Sequence, residues 1–182
     1  RLDYARKLKE TRPRQTVSLC MIVKDGENDL ARVLKSVEPV VDEVLIGIDE
    51  NTTDDTAEIV DAFAAKMVKS NRSPRLRVSH FPIKSALDTG FDAARNTVIE
   101  KATCDWIMWC DSDEEFFGQN EMIKYLRPNG WRGYGIAQHH FSVQPTAVLS
   151  TDFPVRLFRR DPDVKFLGVV HEHPENIHTP NE

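Results

Sequence analysis

The stretch Asp105-Trp106-Ile107-Met108-Trp109-Cys110-Asp111-Ser112-Asp113-Glu114-Glu115 decides how this sequence is read. Residues 105–110 form a short apolar run of the kind that makes a buried strand. Five consecutive polar residues, Asp111 to Glu115, then break it. Carboxylates placed directly after an apolar strand are held at the mouth of a cleft, because open parallel sheets bind ligands beyond the carboxyl ends of their strands. Two carboxylates one residue apart can share a hard divalent cation. Mg²⁺ and Mn²⁺ are held by one or two carboxylates together with substrate phosphates.

Working outward, the chain alternates between two hydrophobic periods. Thr16 to Val23 is an apolar strand, and Leu30, Val33, Leu34 and Val37 fall at helical spacing before Pro39. Glu43 to Ile48 is a second strand running into Asp49-Glu50. Val60, Phe63, Ala64 and Met67 repeat the helical spacing, with Asp55-x-x-Glu58 as a capping arrangement at its start. Leu76 to Phe81 is a third strand, and Thr89 to Ala102 a third helix with Phe91, Ala94, Val98 and Ala102 on one side. The deciding stretch is therefore the fourth strand of a strand–helix alternation, which predicts an α/β fold with a mainly parallel sheet covered on both faces. Beyond Gly130 shorter strands follow, over 133–143, 147–150, 155–159 and 164–170. The expected organisation is an N-terminal extension over 1–15, a nucleotide-binding α/β half over 16–130, and a smaller mixed part over 131–182. The basic opening stretch Arg1 to Arg14 reads as a surface helix or tail.

Composition narrows the function. The chain has 182 residues, 40% of them hydrophobic and 29% charged, as in an ordinary globular protein. A net charge of -5 argues against a nucleic-acid partner, which asks for a basic face. No apolar run approaches the roughly 18 residues of a membrane span, and no signal peptide is visible. Cys20, Cys104 and Cys110 carry no Cys-x-x-Cys spacing, so buried thiols in a reducing compartment are expected. A cytoplasmic protein, free or peripheral at the inner membrane face, fits this. The start at Arg1 and the end at Asn181-Glu182 suggest a piece of a longer protein with flanking domains.

Other phosphate and metal signatures fail. There is no Gly-x-x-x-x-Gly-Lys loop and no Gly-x-Gly-x-x-Gly turn. Asp111-x-Asp113-x-Glu115 begins like a calcium loop, but Phe116 and Met122 stand where Gly and Glu are required. An Asp-nucleophile phosphatase also uses Asp-x-Asp after a strand, normally the first of its fold. A non-catalytic binding module is the third reading. His139 and His140 are adjacent on a strand, point to opposite faces and read as structural. His171 and His173 share a face, which permits a metal pair. Trp106, Trp109 and Trp131 read as core or cleft wall, Glu114 and Glu115 as helix-start charges.

Four motifs in order then resemble one family. Val17 to Glu27 (VSLCMIVKDGE) resembles the opening strand of family 2 glycosyltransferases, and residues 44–56 (VLIGIDENTTDDT) their second strand and turn. Ala94-Arg95-Asn96 followed by the deciding stretch is similar to the family's A-R-N … G-D-W-I-L-W-L-D-A-D-E-E pattern. Val155 to Arg160 with Gly168 to Glu172 resembles a late R-L-F-R … G-x-V-H-E signature. Asn51-Thr52, Gly90 and Cys104 depart from the usual Gly-Ser, Asp and Gly.

The resemblance implies a GT-A (Rossmann-like) single domain and metal-dependent, inverting transfer of a sugar from a UDP- or GDP-linked donor to a saccharide, lipid or protein acceptor. It implies that Asp113 ligates Mn²⁺ or Mg²⁺, with Asp111 on the ribose or a metal-bound water and His171 as a further metal or phosphate contact. Asp49 would hold the base or ribose and Arg95 would sit near the phosphates. Val23, Ser112 and Arg156 are further donor-side residues. Inverting transfer needs a general base, for which Asp152 is the expected residue and Glu172 its competitor.

Overall fold

A computed structural model describes residues 15–69, 76–122, 124–126, 131–142, 147–168 and 172–177. The extension over Arg1 to Arg14 and the candidate ligand His171 lie outside them. Strands β1 (Val17–Val23), β2 (Glu43–Asp49), β3 (Arg77–Ile83) and β4 (Trp106–Trp109) alternate with helices α1 (Leu30–Val37), α2 (Thr56–Lys69), α3 (Ala86–Thr89) and α4 (Phe91–Ile99). A short α5 (Gln119–Met122) follows, then β5 (Gly133–Gly135), β6 (Gln138–Phe141), β7 (Val148–Asp152), β8 (Val155–Arg159), β9 (Lys165–Leu167) and β10 (His173–Glu175).

The main sheet has six strands in the order β3-β2-β1-β4-β8-β5. β1, β2, β3 and β4 are parallel, whereas β8 runs antiparallel to β4 and β5. The chain builds outward from β1 to β3 and then crosses back to place β4 on the other side of β1. The strand order thus reverses between β1 and β4, which is where such sheets bind ligands.

Strand alternation sends side chains to two cores. Leu19, Met21, Val44, Ile46, Trp106 and Met108 join Leu30, Val33, Leu34 and Val37 of α1 and Val60, Phe63 and Met67 of α2. Cys20, Leu45, Ile107 and Trp109 face the other way, against Val98 and Ile99 of α4 and Phe158 and Phe166. All four apolar positions of α1 are fully buried, as their spacing predicts. The three cysteines are free and buried, with burial pushing the Cys20 and Cys110 thiols up.

Several expectations are corrected. The third helix is shorter than expected, starting at Phe91 after Gly90 at φ 94° and ending at Ile99, with the separate four-residue α3 before it; Phe91 is left at the surface while Arg95 is buried. β3 continues through Pro82, which a sheet edge tolerates. Asp54, rather than Asp55, accepts the Thr56 N–H at 3.0 Å at the start of α2. The strand expected over 133–143 is divided: β5 joins the main sheet and β6 pairs with β7. β10 escapes the sequence because His-Pro-Glu carries no strand signal. Trp131, 61% exposed, belongs to no core, so of core and cleft wall only the second holds: it lines a cavity with Arg132, Val155 and His173.

Helix α4 can approach the sheet closely because β2 carries Gly47. A Cβ there would lie 2.8 Å from Val98 Cγ2 and 2.9 Å from Ile83 Cγ2, both stiff β-branched side chains. Gly47→Ala is therefore expected to destabilise the fold by about 1–3 kcal/mol through overpacking. A urea melt checks this, and an unchanged midpoint would refute the close packing.

Candidate active site

The carboxyl end of β4 carries the densest cluster of charges in the protein's interior. Arg95, on the α4 face turned to the sheet, donates from Nη2 to Asp111 Oδ1 at 2.6 Å and from Nε to Glu172 Oε1 at 2.5 Å. Arg156, on β8, donates from Nη2 to Glu114 Oε1 at 2.5 Å and to Gln138 Oε1 at 2.9 Å. Both guanidinium carbons lie over the Trp109 ring, at 4.3 Å for Arg95 and 3.8 Å for Arg156. Trp109 is fixed in turn by donating its indole N–H to the Val155 carbonyl at 2.7 Å. Arg95 and Arg156 are only 6% and 7% exposed, and buried charge persists because each is paired.

Electrostatics follow from this packing. Burial works against the Arg95 charge, but Asp111 and Glu172 more than offset it, so its pKa is raised. Burial pushes the Glu114 carboxyl above the usual range, against the pull of Arg156 and of the Asp111 N–H that it accepts at 2.9 Å. A carboxyl that holds its proton more tightly folded than unfolded weakens the fold as pH rises through that window. Glu114 is thus a costly, site-facing group and not the helix-start charge expected from its place in an acidic run. Two buried polar atoms, Arg156 Nη1 and Thr52 Oγ1, have no hydrogen-bond partner among the described residues. Arg156 Nη1 stands 3.7 Å from Asp111 Oδ2, too far for a hydrogen bond.

A second group lines the ends of β1 and β2. Asp49 is buried, and its Oδ1 accepts the Asn51 N–H at 2.9 Å while its carbonyl accepts the Thr52 N–H at 2.9 Å. Asp25, at φ 49°, accepts the Thr53 N–H at 2.8 Å, and the Gly26 N–H donates to Thr56 Oγ1 at 2.8 Å. These bonds stitch the turn after β1 to the turn after β2. A Cβ at Gly26 would also lie 3.8 Å from the Ser112 Cβ, so the β1 and β4 turns meet. Val23 is buried, which leaves its backbone as what it can offer a ligand.

The remaining expected residues are placed as follows. Asp113 is exposed, and its carboxylate has no hydrogen-bond or ion-pair partner among the described residues, whereas Asp111 is engaged by Arg95. Among the described residues no group of three or more His, Cys, Asp or Glu is arranged around a metal position. The oxygen-only pair Asp111 and Asp113 nonetheless fits a cation that takes its other ligands from substrate phosphates and water. Glu172 is committed to Arg95. Asp152 lies on β7 and pairs with His140 Nε2 at 2.9 Å. Sequence reasoning missed Asp25, Thr52, Glu114 and Gln138; only the Asp25-Gly26 turn carried a signal.

The model of the family described as Glycosyl transferase family 2 matches residues 18–141. A TPR repeat-containing protein of Synechococcus elongatus is 33% identical over 86% of this chain and 34% of its own length. The SPbeta prophage-derived glycosyltransferase SunS of Bacillus subtilis is 28% identical over 88% of this chain and 35% of its own. The chain spans about a third of the length of these curated relatives. Among solved structures, S. aureus TarS 1-349 has a TM-score of 0.51 at 16% identity, covering 84% of this chain and 50% of that one. The mannosyltransferase PcManGT from Pyrobaculum calidifontis, in complex with GDP-Man and Mn²⁺, has a TM-score of 0.53 at 16% identity, with 76% and 43% covered. At that identity the two structures bear on the fold alone, and the fold is GT-A.

Proposed function

The chain belongs to glycosyltransferase family 2, and from that premise we propose that it moves a sugar from a UDP- or GDP-linked donor to an acceptor hydroxyl, on a saccharide, lipid or protein, by direct displacement with inversion. The observation that carries this is the buried, unpartnered Nη1 of Arg156 beside Asp111, at the point where strand order reverses. A desolvated N–H without an acceptor costs about 1–3 kcal/mol, which an anionic oxygen of the donor diphosphate would recover.

In this reading residues 16–130 hold the donor and residues 131–182 face the acceptor. Asp49, with the turn it orders, holds base or ribose. The Thr52 hydroxyl, buried without a partner, faces the same ligand. Arg95 keeps Asp111 in place, and Asp111 and Asp113 would hold Mn²⁺ or Mg²⁺. When bound, such a cation neutralises charge on the leaving diphosphate. Asp152, on β7, is on the acceptor side. Among the described residues no helix is long and apolar enough to cross a membrane.

A thermal-shift screen with UDP- and GDP-sugars and Mn²⁺ tests this. A donor at 100 times its Kd adds about 2.7 kcal/mol of stability, a rise of several degrees. Asp113→Ala is expected to abolish the metal-dependent part of that rise. If no donor raises Tm with any divalent cation, the proposal fails.

A further inference from the structure

The β6–β7 hairpin places an imidazole and a carboxylate beside the site in a way that neither expectation for these residues anticipated. Its register sets Gln138 opposite Asp152, His139 opposite Thr151 and His140 opposite Ser150. Directly opposed residues share a face, as do residues two apart. Gln138, His140, Ser150 and Asp152 therefore stand on one face, and His139 and Thr151 on the other, bonded to each other at 2.8 Å.

Gln138 shows which way the first face looks. Its amide oxygen is 2.9 Å from Arg156 Nη2, and its amide nitrogen donates to Glu114. The pair His140 Nε2 and Asp152 Oδ2, at 2.9 Å, is thus on the site side of the hairpin. His140 follows Gln138 by two residues, or about 7 Å along the strand. Among the described residues, Glu114, Arg156 and, beyond them, Asp111 are the charged groups linked to this side through Gln138. The pair is open to a second substrate, with side chains 42% and 64% exposed, whereas the Glu172 side chain is 10% exposed and occupied by Arg95.

We propose that His140 is the base that takes the acceptor's proton and that Asp152 is its positioning residue. The proposal rests on the sugar-transfer reading above. It revises the expectation that Asp152 acts as the base and His140 as a structural residue. An imidazole, with an ordinary pKa near 6.5, is better matched to proton abstraction at neutral pH than a carboxylate near 3.9. Asp152 on Nε2 selects the tautomer that carries its proton there, leaving Nδ1 as the acceptor, and it stabilises the imidazolium that forms. In the step, the acceptor O–H proton passes to Nδ1 and the oxygen's lone pair forms the new bond to the anomeric carbon. The bond from that carbon to the diphosphate oxygen breaks, its electron pair leaving with the diphosphate.

Donor hydrolysis, with water as acceptor, tests this without an identified acceptor. His140→Gln is expected to lower kcat by about 100-fold or more with donor KM little changed, and to remove the acid limb of the kcat–pH profile. Asp152→Asn is expected to lower kcat less, again with donor KM little changed, since the imidazole loses the partner that orients it. A His140→Gln protein that keeps both rate and acid limb, or an Asp152→Asn protein with unchanged kcat, would overturn the pair. Both variants should keep the donor-induced Tm rise. Loss of that rise in the unsubstituted chain would instead refute the sugar-transfer reading itself.

Discussion

Arg95→Met is expected to cost about 3–5 kcal/mol of stability and to lower turnover by about 100-fold or more. Methionine keeps most of the arginine stem's volume, so packing on Trp109 and Phe166 is not the main loss. The loss comes from the two carboxylates. Glu172 is almost enclosed and would keep a buried charge without its cation, while Asp111, 39% exposed, is partly relieved by solvent. That partial solvation places the cost towards the lower end of the range. Turnover falls because Asp111 would no longer be held to the end of β4. Arg95→Lys is the informative companion: a lysine restores a positive charge but cannot reach Asp111 and Glu172 through two nitrogens of one planar fork. It should recover part of the stability and little of the turnover. Urea melts with donor-hydrolysis rates check both, and an Arg95→Met midpoint equal to that of the unsubstituted chain would contradict the buried pairing.

Glu43→Ala is expected to destabilise the fold by about 2–4 kcal/mol, while leaving the site's chemistry intact. Glu43 begins β2 at the end of the sheet opposite the site, and it is buried. Its carboxylate accepts from Ser18 Oγ at 2.5 Å, from the Thr103 N–H at 2.8 Å and from Thr103 Oγ1 at 2.9 Å, with Arg77 Nη2 at 3.2 Å. Ser18 Oγ in turn accepts the Cys104 N–H at 3.2 Å. One side chain thus joins β1, β2, β3 and the turn before β4. Its removal strands the buried Ser18 hydroxyl, at about 1–3 kcal/mol, and leaves a cavity, while Thr103 and Arg77 are exposed and turn to water. At roughly 2–4 °C per kcal/mol the melting point should fall by about 10 °C. The folded fraction should still show a donor-induced rise in Tm. A melting point within a degree or two of the unsubstituted chain would show that the network is surface decoration.

The parallel half of the fold was legible because its signals are local. Leu30, Val33, Leu34 and Val37 announce one buried helical face, and β1 and β4 are short apolar runs closed by polar residues. Where reading failed, a tertiary term outweighed the local one. Gly90 adopts a positive φ that separates α3 from α4, and α4 buries Arg95 beside Ala94 and Val98. Beyond Gly130 the strands are three to five residues long. A three-residue segment such as His173–Glu175 is held by its partner β9 and not by its own propensity.

The site divides in the same way. The strand-end positions of Asp49, Asp111 and Asp113 could be read from sequence, since each follows an apolar run. The contacts of Glu114, Gln138 and His140 could not, because nothing within their own stretches distinguishes them from surface polar residues.

The stretch 105–115 by itself determined a buried strand with carboxylates at its end, and with the strands before it a parallel α/β sheet. Hydrophobic periodicity is a property of neighbours in the chain, so it survives without coordinates. Tertiary structure alone decided that Arg95 meets Glu172 across 77 positions and Arg156 meets Glu114 across 42. It also decided that Trp109 lies under both guanidiniums. Such contacts depend on how strands are ordered and how closely α4 packs over Gly47, and a charge's neighbours in space set its pKa and its partners.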